Sequence, residues 1–263
     1  MLSVLDALRR DGYYIEPDVL TPAEVSAARA AFFEWKDASP NAQPTYHHIF
    51  TTHHVGHARH AKLVREHPKV RGFFQDALFS GEPVVSSFDG CCYMPRVTPL
   101  ENESWTHTDQ APSKRSTRCY QGFVALTTNE HRTLRVYPGT HALHERYFQT
   151  RGLQDDNRNF HLIDDDALEA LPPPIALHVP AGALVVWDSR LFHQSQHGSN
   201  PEERLVQYVC FLPQSGATKT QLDARAQLEA ARRTTTHWPY PMRAVEKAEA
   251  KSEAESESEE SEM

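Results

Sequence analysis

Trp105-Thr106-His107-Thr108-Asp109-Gln110-Ala111-Pro112, written WTHTDQAP, is the stretch from which the fold of this chain is best read. On an extended strand, side chains alternate between faces, so His107 and Asp109 lie on the same side. An imidazole and a carboxylate so placed can grip one metal ion. They supply two thirds of a 2-His-1-carboxylate triad, the ligand set that leaves open positions on Fe(II). A chain with 16 His and 35 acidic residues produces such pairs by chance. The reading therefore depends on a second histidine, an anion clamp and a scaffold elsewhere.

Downstream, Ala181 to Gln196 (AGALVVWDSRLFHQSQ) has a Gly turn, an apolar strand and His193 at its end. His193 is the candidate third ligand, from a strand expected to approach across a barrel. His197 competes with it but falls in the turn Gln196-His197-Gly198-Ser199-Asn200-Pro201. Eleven residues beyond His193, Arg204 opens the run RLVQYVCF. A guanidinium there can hold a carboxylate through two parallel hydrogen bonds; its alternative is a surface salt bridge.

Short β-branched or apolar runs surround these residues: Pro83 to Phe88, Cys91 to Met94, Trp105 to Asp109, Tyr120 to Thr127, Leu134 to Tyr137, Ile175 to Val179, Leu184 to Trp187 and Val206 to Leu212. Pro, Gly or Asn separates most of them. The pattern predicts a mainly β chain with flanking helices, built on a double-stranded β-helix of the jelly-roll, cupin-like kind.

The helices come first. Residues 3–10 form a short one stopped at Gly12, and Tyr13 to Val19 is extended. Thr21-Pro22-Ala23-Glu24 is a capping box that starts a helix running to about Lys36, with Val25, Ala28, Phe32 and Trp35 inward. A further helix covers Lys62 to Phe79, interrupted near Pro68, with Leu63, Val70, Phe73, Phe74 and Leu78 inward. Between them His53, His57 and His60 would share one helical face and could bind zinc; a His-rich surface or lid is the plainer reading. The segment from His141 to Pro174 is charged and reads as a long loop. Thr220 to Arg233 reads as an amphipathic helix.

The net charge of −8 is concentrated at one end. From Glu246 onward eight Glu and two Lys give −6, leaving −2 for residues 1–245. Nothing in the nearly neutral remainder suggests a nucleic-acid partner. The Ser/Glu-rich end, 244–263, reads as a disordered solubilising tail. Cys91, Cys92, Cys119 and Cys210 show no C-x-x-C pair and read as free thiols. With no signal core and no membrane-length apolar run, the expectation is a soluble, cytoplasmic protein with no membrane partner.

The ordered set HTD, Pro138-Gly139-Thr140-His141, GALVVWDSRLFH and Arg204, with the opening DGYYIEPDVLTPAEV, resembles the phytanoyl-CoA dioxygenase family of Fe(II)/2-oxoglutarate oxygenases. The resemblance spans roughly residues 8–215. It implies that His107, Asp109 and His193 hold Fe(II) and that Arg204 binds the distal carboxylate of 2-oxoglutarate. Phe123 matches a position where the family often places an aromatic beside the cosubstrate, and Gln121 is its neighbour. It also implies use of O2, release of succinate and carbon dioxide, and hydroxylation of a small-molecule substrate. Asp109 argues against a halogenase, which lacks this carboxylate. Glu130-His131-Arg132-Thr133 departs from the family, where an Asn-Gly turn is common before the PGTH strand.

Residues 1–215 are accordingly read as the oxygenase domain, 216–243 as a helix and extension packed on it, and 244–263 as the tail. Lys114, Arg115 and Arg118 could meet an anionic substrate or form a solvated loop. Two other readings compete: a non-catalytic jelly-roll binding or sensor protein that retains the metal site, and a zinc hydrolase built on the His-rich segment.

Overall fold

A computed structural model describes residues 3–99, 103–114, 119–153, 158–198 and 200–245. Helix α1 (Val4–Asp11) is capped by Ser3 and ends at Gly12, whose φ of 83° is left-handed. A Cβ at Gly12 would lie 2.5 Å from His141 Nδ1, so this glycine serves both the turn and the close approach. Strand β1 (Tyr13–Glu16) follows, then α2 (Pro22–Ala38), which carries the complete Thr21/Glu24 capping box.

The His-rich segment does not form a helical face. His53 and His54 both have φ of 55°, which breaks any helix there. His57 ends the 3-10 turn Val55–His57, and His60 belongs to α3 (Arg59–Arg65). The helix expected over Lys62 to Phe79 starts earlier and divides into α3, α4 (Pro68–Gly72) and a π turn, Phe73–Leu78. Pro68 has no N–H to continue α3, and it keeps His67 extended. Because α3 starts at Arg59, its inward residues are His60, Ala61 and Val64, whereas Leu63 faces solvent.

The strands are β2 (Ile49–Phe50), β3 (Val84–Ser86), β4 (Cys91–Met94), β5 (His107–Asp109), β6 (Tyr120–Ala125), β7 (Leu134–Val136), β8 (Phe160–Leu162), β9 (Ile175–Ala176), β10 (Leu184–Asp188), β11 (His193–Ser195) and β12 (Arg204–Pro213). One sheet runs β1-β10-β6-β12-β4-β2, with β3 also on β12; the other runs β8-β5-β11-β7-β9. Every pairing is antiparallel. This is the jelly-roll plan without a closed barrel.

Alternation on β12 sorts the core into two layers. Leu205, Val209 and Phe211 point outward, where they pack with Phe32, Val64 and Phe74 of the helices. Val206 points inward with Phe123, Val185 and Trp187, facing Leu134 and Val136 of the smaller sheet. Burying one such Phe contributes roughly 2–3 kcal/mol. The helices thus back the large sheet and leave its inner face for the site.

Other expected elements change. The 141–174 segment contains α5 (His144–Thr150), β8 and α6 (Asp165–Glu169); Tyr147 and Phe148 of α5 pack on Phe192. Strand β8 is only three residues long, too short for its Phe-His-Leu alternation to mark a strand, and Phe160 and Leu162 are exposed. PGTH is a turn leading into the 3-10 turn Thr140–Ala142 rather than a strand. It ties α1 to β11: Gly139 N–H donates to Asp11 O, His141 Nε2 bonds to Arg9 O, and Thr140 Oγ1 accepts from Phe192 N–H. Arg132, in the loop that departs from the family, is fully buried and donates to the carbonyls of Pro95, Thr98 and His197. The Glu202 carboxylate accepts from the N–H groups of Glu130, His131 and Arg132.

Helix α7 (Lys219–Ala230) buries none of its residues; Arg225 anchors it by donating to Ser86 O and covering the Phe88 ring at 4.6 Å. The four cysteines are free and buried. No helix among the described residues is long and apolar enough to cross a membrane. Arg115, Arg118 and the acidic run from Glu246 lie outside the described residues.

His60 is fully buried edge-on to Phe32 at 5.3 Å, and neither ring nitrogen has a partner among the described residues. Burial pushes its pKa down to about 3. The unfolded chain takes up this proton near 6.5, so its contribution is complete above that pH and is lost on acidification. The loss amounts to about 1.4 kcal/mol per pH unit between the two values. Urea unfolding at stepped pH is expected to show a shallower acid loss in His60→Leu than in the unsubstituted protein; equal slopes would assign the acid sensitivity elsewhere.

Candidate active site

The metal-ligand candidates meet. His107 and His193 stand directly opposite each other on adjacent strands β5 and β11, not on opposite sides of a barrel. Their Nε2 atoms lie 3.5 and 3.4 Å from the same oxygen, Asp109 Oδ2. All three side chains are buried. Among the described residues they form the one group of three or more His, Cys, Asp and Glu side chains placed to share an ion.

The hydrogen bonds set the imidazole tautomers. His107 Nδ1 is 3.0 Å from Trp105 O, and His193 Nδ1 is 2.8 Å from Leu191 O. A carbonyl only accepts, so both Nδ1 atoms carry the proton, and in the neutral ring each Nε2 presents a lone pair. Burial, then the neighbouring His107, pushes the His193 pKa down, favouring that neutral form. Burial alone would raise the Asp109 pKa, but the surrounding imidazoles, His107 foremost and then His237, hold it well below the carboxylate range. Two lone pairs therefore converge on a carboxylate. A cation between them resolves the repulsion, and the N2O donor set suits Fe(II) with open positions.

The backbone holds Asp109 from both sides. Its N–H donates to Ser189 O at 2.8 Å, and its carbonyl accepts from Trp238 Nε1 at 3.2 Å. Trp105 stacks on His107 at 4.7 Å and is itself covered by His47 at 3.8 Å. Trp187 packs on His193 at 5.3 Å, and Phe160 lies 4.8 Å from His107.

Opposite the triad, the large sheet presents unpaired donors. Arg204 is fully buried, and its Nη1 bonds to Ser195 Oγ at 3.1 Å, yet Nε and Nη2 have no acceptor among the described residues. No carboxylate among the described residues pairs with it, and its full burial is at odds with the surface-salt-bridge alternative. Gln121 Nε2 and Trp187 Nε1, on directly paired residues of β6 and β10, are likewise unpartnered. Unmet donors of this kind are costly when buried, and an anion with several acceptor oxygens would satisfy them. Gln121, Trp187 and Ser195 line a cavity of about 600 Å³ that also contains the triad. Arg204 and Phe123 are not themselves among the lining residues: the Arg204 guanidinium is bonded to the lining Ser195 and stands 5.6 Å from the centroid of the Phe123 ring. His197 is half-buried against His48 and stands apart from the triad.

A family model described as phytanoyl-CoA dioxygenase (PhyH) matches residues 8–206. The chain belongs to the PhyH family. Its match takes in the triad and Arg204. A curated relative, Ava biosynthesis cluster protein O of Aspergillus versicolor, is 24% identical over 71% of this chain and 65% of its own length. The chain thus spans less than two thirds of that relative. The fold is similar to a crystal structure of the non-heme alpha ketoglutarate dependent carbocyclase SnoK from nogalamycin biosynthesis, at 19% identity and TM-score 0.56 over 79% of this chain and 82% of that one. It is also similar to the epimerase SnoN in complex with Fe3+, alpha ketoglutarate and nogalamycin RO, at 16% identity and TM-score 0.58 over 82% and 91%.

The His-rich segment has a different place in this PhyH chain from the zinc site considered above. His54 Nδ1 and His57 Nε2 bond to the carbonyls of Arg232 and Arg233, and Gly56 N–H donates to Thr234 Oγ1. Together they clamp a C-terminal strap, residues 234–245, that crosses the cavity and brings Trp238 to Asp109. Neither the clamp nor Trp238 carries a motif: both are made by residues 176 or more positions apart in one case and 129 in the other.

Replacing Trp238 by Phe keeps the packing and removes the bond to Asp109 O. Affinity for Ni(II) or Fe(II), measured by calorimetry, is expected to fall by about tenfold or more, the scale of outer-sphere substitutions. Asp109→Ala is expected to bind neither ion while keeping the far-ultraviolet dichroism of the folded chain; unchanged metal affinity in Asp109→Ala would overturn the assignment of the triad.

Proposed function

We propose that this chain is an Fe(II)- and 2-oxoglutarate-dependent dioxygenase that hydroxylates a small molecule. His107, Asp109 and His193 hold the iron, and Arg204 binds the distal carboxylate of 2-oxoglutarate. The observation that carries this reading is the pairing of two unmet demands across one cavity. On the small sheet, two imidazole lone pairs and a carboxylate await a cation. On the large sheet, Gln121 and Trp187 line the cavity with unpaired donors that await an anion, and Arg204, bonded to the lining residue Ser195, adds two more. Membership of the PhyH family and the ligands named for SnoN support the same pair of groups.

When bound, iron with 2-oxoglutarate and O2 supplies oxidation of a substrate C–H bond, yielding a hydroxylated product, succinate and carbon dioxide. The chain's own residues prepare the site. The Trp105 and Leu191 carbonyls hold each imidazole in the ligating tautomer. Ser189 and Trp238 hold the Asp109 backbone. Phe123 supports the face of Arg204, and Cys92 Sγ and Ser195 Oγ orient its Nη1, leaving Nε and Nη2 for the carboxylate. Trp105 and Trp187 keep water from the flanks of the imidazoles.

The non-catalytic reading lacks support from any lost ligand, since all three metal candidates and the arginine are in place. A metabolite-library screen for Fe(II)-dependent succinate release tests the proposal. Arg204→Met is expected to raise KM for 2-oxoglutarate by about tenfold or more, because a charge-assisted bidentate contact is lost. Arg204→Lys should restore only part of it. Product mass separates hydroxylation, which adds one oxygen, from ring closure or epimerisation. Absence of 2-oxoglutarate binding together with absence of succinate would reject the dioxygenase and favour a binding protein.

A further inference from the structure

The edge strand of the small sheet carries an apolar face that the fold leaves open. In β8, paired antiparallel with β5, Phe160 stands opposite Asp109 and Leu162 opposite His107. Directly opposed residues of such a pair share a face. Phe160 and Leu162 therefore project to the side on which the metal ligands meet. His161, between them, turns the other way and packs on Tyr147 and Phe148 of α5. One side of β8 is thus covered by protein, whereas on the site side Phe160 is 49% exposed and Leu162 52%.

Position makes this shelf part of the site. The Phe160 ring lies 4.8 Å from the His107 ring and lines the cavity. Asn159 pins the start of β8 to the end of β5, its Oδ1 accepting from Ala111 N–H at 3.2 Å and from Lys114 Nζ at 2.8 Å. A substrate carbon brought to the metal set therefore has Phe160 beside it. For the fold alone, a Phe and a Leu on the open face of an edge strand are a liability. Contiguous apolar surface at the rim of a pocket instead marks a place that a ligand covers. Tyr46, another exposed ring, lines the same cavity, as do Trp105 and Trp238. Aromatic rings pair best with other rings, offset or edge-on. A shelf open along Phe160 and Leu162 suits a broad body better than a threaded chain.

We propose that Phe160 is a specificity-determining residue and that the substrate is a ring-bearing, largely apolar small molecule, which lies on Phe160 and Leu162 and presents to the metal set the carbon to be oxidised. This rests on the oxygenase reading and specifies the substrate class of that site. Apolar walls with a few placed polar groups are the usual form of a small-molecule pocket. Here one of those walls is the side of a strand that also backs the metal ligands.

The test uses the full chain loaded with Ni(II) and saturated with 2-oxoglutarate. Three probes are titrated by calorimetry: 2-naphthol; decanol, which has as many carbons in an open chain; and methyl glucopyranoside, a polar ring. 2-Naphthol is expected to bind about tenfold or more tightly than either of the others. Phe160→Ser should weaken 2-naphthol by about tenfold or more, the scale of one buried aromatic contact. Leu162→Ser should weaken it by a smaller factor, and Phe160→Tyr should preserve it. Because Leu162→Ser leaves Phe160 against His107, it carries the test if Phe160→Ser does not load. The proposal is overturned if decanol or the glucoside matches 2-naphthol, if the deciding serine variant binds 2-naphthol as tightly as the unsubstituted chain, or if 2-naphthol does not bind at millimolar concentration. It is also overturned if the unsubstituted chain sediments as a dimer that either serine variant dissociates, which would assign the shelf to a second copy. Failure of the oxygenase reading is distinguished beforehand, as failure of the unsubstituted chain to take up 2-oxoglutarate.

Discussion

Two imidazole lone pairs and one carboxylate oxygen are held together inside the protein, and the rest of the structure is arranged around that unfavourable convergence. His107 and His193 could relieve it by turning away, but each is pinned through Nδ1 to a carbonyl two residues earlier on its own chain. Asp109 could relieve it by withdrawing, but its backbone is bonded on both sides. Such a cluster persists because the surrounding packing over-determines it, and a bound cation removes the conflict.

The second constraint is the mirror image of the first. The large sheet buries two nitrogens of the Arg204 guanidinium and two further N–H donors without acceptors among the described residues, against the general rule that buried donors are satisfied. Each sheet alone would be poorly designed. Facing each other across one cavity, they have opposite requirements that a metal and an anion meet together. The helices contribute by covering the outer face of the large sheet, so the inner face need not serve as the main apolar core. The His-rich segment and the C-terminal strap close the remaining side, joined by the contacts of His54, Gly56 and His57 to residues 232–234.

Elements with strong local signals were legible before the structure. The Thr21/Glu24 capping box and the Gly12 stop depend on neighbouring residues, and both occur as read. The β-branched runs of β6, β10 and β12 are buried on both faces and stood out for that reason. Strands β2 and β8 and the brief β11 did not, because two or three residues held by their partners carry no periodicity. The His53/His57/His60 spacing misled because it presumed a helix, whereas left-handed residues at 53 and 54 disperse the rings. PGTH was attributed to a strand although Gly139, at φ of 79°, turns it into a docking loop.

By itself, the sequence determined the class of fold and the identity of the ligand candidates, because alternation places His107 and Asp109 on one face whatever the topology. It also singled out His193 and Arg204, through the order of motifs that resemble the family. Tertiary structure alone decided that β5 and β11 are neighbours in one sheet, that Arg204 has no carboxylate partner among the described residues, and that Trp187 and Trp238 belong to the site. The physical reason is separation along the chain: these relations join residues tens to more than a hundred positions apart, and no local spacing encodes which distant strand, carbonyl or ring will be brought to meet them.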